Sequence, residues 1–219
     1  MQQNHSIELV LFDLDGTLVD TAPDFVLSLN NILISNGKEA INDNLIRSYV
    51  SDGSAKLIEL GFEITNDHPN FNKYRNELLT EYKKNLVNES KLFDGINEVI
   101  LHLNNINIPF GIVTNKPYKY AEPVVKNFEV LNHSKILVCP DHIQNAKPDP
   151  EGILLACSKL NIKSENCVYI GDHQKDIQAG INAGSKTIGC LYGYSLNSKD
   201  DYGETILIKE PKEIIKLIN

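Results

Sequence analysis

The chain has 219 residues, 42% of them hydrophobic, and a formal net charge of −8 from 21 basic and 29 acidic side chains. That length supports one sizeable core, or a core with a small accessory domain, and the composition excludes disorder. The acidic balance and the lack of any basic run argue against nucleic acid and anionic membrane surfaces as partners, so an anionic ligand would have to be attracted locally.

The leading residues, uncharged apart from His5, run into an apolar stretch only as long as a strand, the pattern of neither a secretory signal nor a spanning helix. That stretch, Ile7-Glu8-Leu9-Val10-Leu11-Phe12, predicts a buried first strand closed by a glycine turn. Asp13 and Asp15 stand where it ends, so both can reach into one site above its carboxyl edge, where open α/β sheets bind ligands. Two anions so close repel unless a cation or a shared proton relieves them, which makes a divalent metal the first hypothesis. Taken alone, the pair also fits an Asp-Gly turn with two solvated acids.

From 22 to about 88 the pattern is helical and amphipathic. Phe25, Leu29, Ile32 and Leu33 recur at helix spacing, as do Leu78, Leu79 and Tyr82, and Pro23 after Thr21 marks a helix start. Asp94-Gly95 marks the return to a different texture, strand then helix, repeated. Strands are expected over 109–113, 135–139, 167–170 and 186–190, with 205–208 closing the sheet, and helices over 151–160 and 176–183. Such alternation implies right-handed crossovers and a parallel sheet. Lys199-Asp200-Asp201 reads as a solvated loop. Cys139, Cys157, Cys167 and Cys190 lack zinc-like spacing and read as reduced structural thiols of a cytosolic protein.

Three more motifs follow: Val113-Thr114-Asn115-Lys116, Lys147-Pro148-Asp149-Pro150 and Gly171-Asp172-His173-Gln174-Lys175-Asp176. With Asp13-Leu14-Asp15-Gly16-Thr17 they occur in the order found in haloacid-dehalogenase-superfamily phosphatases, which the chain resembles over about 7–193. The resemblance implies an α/β fold: a doubly wound parallel-sheet, Rossmann-like core (1–20 and 91–219) with a helical cap domain (21–90) inserted after the first strand. The stretch between Thr114 and Lys147 is too short for a second type of cap.

By the same resemblance Asp13 is a nucleophile that forms an aspartyl phosphate, and Asp15 is the acid for the leaving alkoxide and then the base for water. Mg²⁺ would be held by Asp13, Asp172 and the Asp15 carbonyl, with Asp176 steadying a metal-bound water or ligand. Thr114, the Asn115 amide and Gly16 would meet the phosphoryl group, and Lys147 would act as a point charge on phosphate and nucleophile. Viewed alone, Gly-Asp-x-x-x-Asp is a common helix start, Thr114 a turn residue and Lys147 a surface lysine. Ser51-Asp52-Gly53-Ser54 resembles the loop that family caps lower onto the site. Arg47 and Lys56 flank it, facing a substrate carboxylate or sugar, and read equally well as solvated helix charges. His142 and His173 are expected at the site rim.

Hydrolysis is favoured within the superfamily. Transport ATPases carry threonine where this chain has Asp15, dehalogenases lack an acid there, and mutases of the β-phosphoglucomutase type carry a cap histidine where this chain has Phe25. Residues 13–21, the Ser51 loop and Leu191-Tyr192-Gly193-Tyr194 resemble 2-phosphoglycolate phosphatases, the leading expectation for the substrate, whereas Lys91-Leu92-Phe93-Asp94-Gly95 and Cys139-Pro140-Asp141-His142 look closer to N-acetylmuramic acid 6-phosphate phosphatases, the alternative. The expected partner is therefore a small phosphorylated metabolite met by a cytoplasmic monomer or homodimer. A non-catalytic phosphate-binding protein on the same fold is the alternative from another class.

Overall fold

The computed structural model describes residues 6–218; the reading of the leading residues through His5 lies outside that span. The chain divides into two compact units, 1–19 with 92–219, and 20–91. In chain order the first half contains β1 (Leu9–Phe12), β2 (Val19–Asp20), α1 (Ala22–Ser35), α2 (Asp43–Ser48), α3 (Ser54–Phe62), α4 (Phe71–Lys84) and β3 (Lys91–Leu92). Then follow α5 (Ile96–Asn105), β4 (Phe110–Val113), α6 (Tyr118–Asn127), β5 (Leu137–Val138), α7 (Glu151–Lys159), β6 (Cys167–Gly171), α8 (Gln174–Asn182), β7 (Lys186–Cys190), β8 (Ile206–Ile208) and α9 (Glu213–Leu217).

Six strands form one sheet in the order β5-β4-β1-β6-β7-β8, every neighbouring pair parallel. The chain winds outward from β1 through β4 to β5, then returns to the other side of β1 and winds outward through β6 to β8. This is a doubly wound α/β sheet whose direction reverses beside β1, the place where such sheets bind ligands. Both faces of β1 are buried. Leu9 and Leu11 join a core with Tyr169, Ile153 and Ala156, while Phe12 meets Phe110 edge-on at 6.3 Å. The continuous apolar run of the sequence is what such two-sided burial requires.

The strand expected over 135–139 is shorter than its apolar run, Leu137–Val138. It lies at the sheet edge, yet the Ile112 N–H still donates to Ile136 O and the Lys135 N–H to Phe110 O. The other expected strands and helices lie within a residue or two of their predicted bounds, a shift usual at element ends.

The 20–91 unit is helical, with its own core of Leu29, Leu33, Ile46, Leu57, Ile58, Phe62 and Leu78. Pro23 sits in the first turn of α1 as read, and Asp20 Oδ1 accepts from the Ala22 N–H. Asp24, fully buried, accepts from the Val87 N–H at 3.0 Å, the Glu89 N–H at 2.7 Å and the Ser90 hydroxyl, tying the end of the unit to its first helix. Among the described residues no helix is long and apolar enough to cross a membrane. All four cysteines are buried free thiols.

Candidate active site

Three neighbouring strands deliver the motifs to one edge. The register sets Phe12 of β1 against Ile112 of β4 and Ile170 of β6, so Asp13, Thr114 and Asp172 leave the sheet at nearly one height. Lys147 arrives from the loop before α7 and is 6% exposed. Its ammonium lies 2.6 Å from Asp176 Oδ1, 2.8 Å from the Tyr169 hydroxyl, 2.9 Å from Asp13 Oδ1 and 3.1 Å from the Val113 carbonyl. Burial alone would pull this ammonium down, but Asp13 and Asp176 outweigh it and hold it above its ordinary range, so Lys147 is a fixed cation.

The acids are held by separate means. Asp172, fully buried, accepts from Thr17 Oγ1 at 3.1 Å and from the Tyr194 N–H at 2.9 Å. Gly16 and Gly193 make room for it: a Cβ on either would lie 2.3 Å from Asp172 atoms, and Gly16 also has a φ of 84° that favours glycine. Asp176 sits in the first turn of α8, and its Oδ2 accepts from the His173 N–H at 3.0 Å while His173 Nδ1 accepts from the Lys175 N–H at 3.0 Å. The capping reading and the site reading of Asp176 are thus compatible, one oxygen serving each. His173 is accounted for as the helix cap. His142 is exposed, its Nδ1 accepting from the Cys139 N–H at 3.0 Å, with Tyr118 edge-on to its ring.

One oxygen each of Asp13, Asp172 and Asp176 lie within 4.8 Å of one another, all three residues buried. Burial pushes Asp13 up to about 6, opposed by Lys147 and assisted by Asp176 and Asp15. Burial, with Asp176 and Asp13 beside it, raises Asp172 well above the carboxylate range. Four carboxylates (Asp13, Asp15, Asp172, Asp176) face two ammonium groups (Lys147, Lys116), leaving an excess of negative charge. Asp13 Oδ1, although in ion-pair contact with Lys147, is a buried oxygen without a directed hydrogen bond. An all-oxygen donor set with surplus negative charge and an under-satisfied oxygen fits a hard divalent cation.

Asp15 stands apart from that cluster, its Oδ1 accepting from Lys116 Nζ at 2.7 Å. Thr114 is buried and its hydroxyl accepts from the Lys116 N–H at 3.1 Å. The Asn115 side chain is turned to the Lys147 backbone, donating to its carbonyl and accepting from its N–H, both at 3.0 Å. Two of the candidates from the helical unit are paired within it. Arg47 Nη1 contacts both Asp20 oxygens at 2.8 Å, Lys56 pairs with Glu59 on α3, and Gly53 precedes α3 with a φ of 92°.

Sequence reasoning did not single out Lys116, Tyr169, Thr17 or Gly193. Lys116 and Thr17 lie inside quoted motifs and Gly193 inside the quoted 191–194 segment, so adjacency was a signal. Tyr169 sits in an apolar strand run and reads as core. Only the register that brings β6 beside β1 reveals where its hydroxyl ends.

The sequence model of the haloacid dehalogenase-like hydrolase family matches residues 10–190. This chain belongs to that family. Within it the chain is a phosphatase, as its curated relatives are. An N-acetylmuramic acid 6-phosphate phosphatase of Pseudomonas putida is 37% identical over 97% of this chain and 96% of its own length. A phosphoglycolate phosphatase of Xanthomonas campestris pv. campestris is 31% identical over 94% of this chain and 93% of its own. The crystal structure of a predicted phosphoglycolate phosphatase from Haemophilus somnus 129PT superposes with a TM-score of 0.87 at 26% identity, covering 97% of this chain and 98% of that one.

Proposed function

We propose that the chain hydrolyses a small phosphate monoester through an aspartyl phosphate on Asp13, with Mg²⁺ as cofactor. The observation that carries this is the buried cluster of Asp13, Asp172 and Asp176, with Lys147 paired to Asp13 and Asp176, at the reversal point of the sheet. Asp13, Asp172 and the Asp15 carbonyl would hold the metal, which when bound neutralises charge on nucleophile and phosphoryl oxygens. An Asp13 carboxylate oxygen attacks phosphorus as the ester P–O bond breaks, and Asp15 gives its proton to the departing alkoxide oxygen. Asp15 then takes a proton from water, whose oxygen attacks phosphorus and releases Asp13 with inorganic phosphate. Lys147 supplies positive charge beside Asp13, and the Thr114 hydroxyl, the Asn115 N–H and the backbone at Gly16 bind phosphoryl oxygens.

The helical unit, inserted directly after the first motif, serves as the cap, with Gly53 in its loop and Arg47 as its cation for the substrate. Phe25, which stacks on Tyr82 at 3.8 Å, stands at the sequence position where mutases of the β-phosphoglucomutase type carry a histidine, which favours hydrolysis. The buried free thiols suit a reducing cytoplasm.

We take N-acetylmuramic acid 6-phosphate as the leading substrate, because two relatives of that activity share 37% and 36% identity over 97% of this chain. Phosphoglycolate is the second reading, supported by the relatives of that name at 31% to 34%. Both molecules pair a phosphate with a carboxylate. The deciding measurement is kcat/KM with Mg²⁺ on both compounds and on hexose phosphates. A preference of a hundredfold, about 3 kcal/mol of transition-state discrimination, names the substrate. No turnover of any phosphate ester would refute the hydrolase reading.

A further inference from the structure

Lys116 follows β4 by three residues and is 7% exposed, with its ammonium 2.7 Å from Asp15 Oδ1. The two side chains are 5% and 16% exposed, so this is not a surface ion pair of negligible weight. Placing an ammonium so deep carries a desolvation cost that an apolar residue of similar length would avoid. Its position has a geometric effect. A carboxylate that must meet one ester oxygen has two side-chain torsions to fix, and anchoring Oδ1 on a buried cation fixes both, and with them the direction of Oδ2. The backbone of the same residue acts on a second group. Its N–H occupies a lone pair of Thr114 Oγ1, so the hydroxyl keeps its own proton to donate.

We infer that Lys116 is a positioning residue that aims Asp15 at the oxygen of the leaving group. The inference rests on the reading of Asp15 as proton donor, and the test separates the two. An aryl leaving group such as p-nitrophenolate departs without a proton, whereas the alkoxides of phosphoglycolate and N-acetylmuramic acid 6-phosphate require one. Because kcat/KM covers the steps through leaving-group departure, a variant that loses proton donation lowers the alkyl-to-aryl ratio of kcat/KM.

In Lys116→Met this ratio falls tenfold or more, and Lys116→Arg, which keeps the cation, recovers part of it. A purely structural role would lower both substrates together and leave the ratio where it was, overturning the inference. Asp15→Asn is the reference. If its ratio is unchanged, the proton-donor reading itself fails; if its ratio falls while that of Lys116→Met does not, only the role of Lys116 fails. Should circular dichroism show Lys116→Met unfolded, the comparison passes to Lys116→Gln against Lys116→Arg, and equal ratios in those two overturn the inference.

Discussion

Asn115 clamps Lys147 by its backbone: the side-chain amide donates to the Lys147 carbonyl and accepts from its N–H, each at 3.0 Å. This reciprocal pair joins the end of β4 to the loop before α7 and fixes the root of the side chain whose ammonium lies among Asp13, Asp176 and Tyr169. Asn115→Ala removes both bonds. We expect kcat to fall 10- to 100-fold with KM changed less than threefold, and stability to fall by about 1–3 kcal/mol, since each bond contributes roughly 0.5–1.5 kcal/mol. Steady-state kinetics and urea denaturation check both parts. An unchanged kcat would show that Lys147 is held well enough by its other partners.

Asp13→Asn is expected to abolish turnover and keep the fold, because the amide is isosteric but not nucleophilic. Substantial residual hydrolysis in a folded variant would remove Asp13 from that role.

The same variant has a stability signature whose sign is fixed. Asp13 is raised from its ordinary value of 3.8 to about 6, with burial the largest cause. Between those values the folded chain holds a proton that the unfolded chain has released, so in chelator this group makes stability fall as pH rises. Asn does not titrate. The stability of Asp13→Asn minus that of wild type should therefore grow between about pH 4 and about pH 6 and level off above, by up to about 3 kcal/mol for two pKa units. Denaturant titrations in chelator measure it, and a difference that shrinks across that window refutes the assignment.

Mg²⁺ should act in the opposite sense. Chelation silences the enzyme and added Mg²⁺ restores it, and at pH 7 the metal raises Tm by binding only the folded chain. That gain should diminish below about pH 6, where protons compete for Asp13. Full activity in excess chelator would sink the metal assignment.

Gly193→Ala tests the packing around Asp172. The added Cβ would lie 2.3 Å from Asp172 Cβ and 2.5 Å from the Gly16 carbonyl, so the acid or the loop must shift. The Mg²⁺ concentration for half-activation should rise tenfold or more, with about 1–3 kcal/mol lost from overpacking. Metal activation curves like those of wild type would mean that the 191–194 segment gives way instead.

Much was legible from the sequence because its physical signals are local. A strand buried on both faces must be a continuous apolar run, so β1, β4, β6 and β7 announce themselves, and acids that end such runs stand at the ligand-binding edge whatever else the chain does. The first motif therefore led to paired anions and a cation before any relative was considered. Helices α1 and α4 were legible for the same reason, through their apolar spacing.

Tertiary structure alone decided how each charge is engaged. That Lys116 meets Asp15 while Lys147 meets Asp13 and Asp176 depends on strand register and on where two loops turn back over the sheet edge. Tyr169 shows the limit most clearly. Its place in the continuous apolar run of β6 assigns it to the core, and only the placing of β6 beside β1 brings its hydroxyl to Lys147 at 2.8 Å. Periodicity is a property of neighbours in sequence, whereas a hydrogen bond of 3 Å is a property of neighbours in space. The sequence determined which residue types stand at the sheet edge, and the fold determined which of them touch.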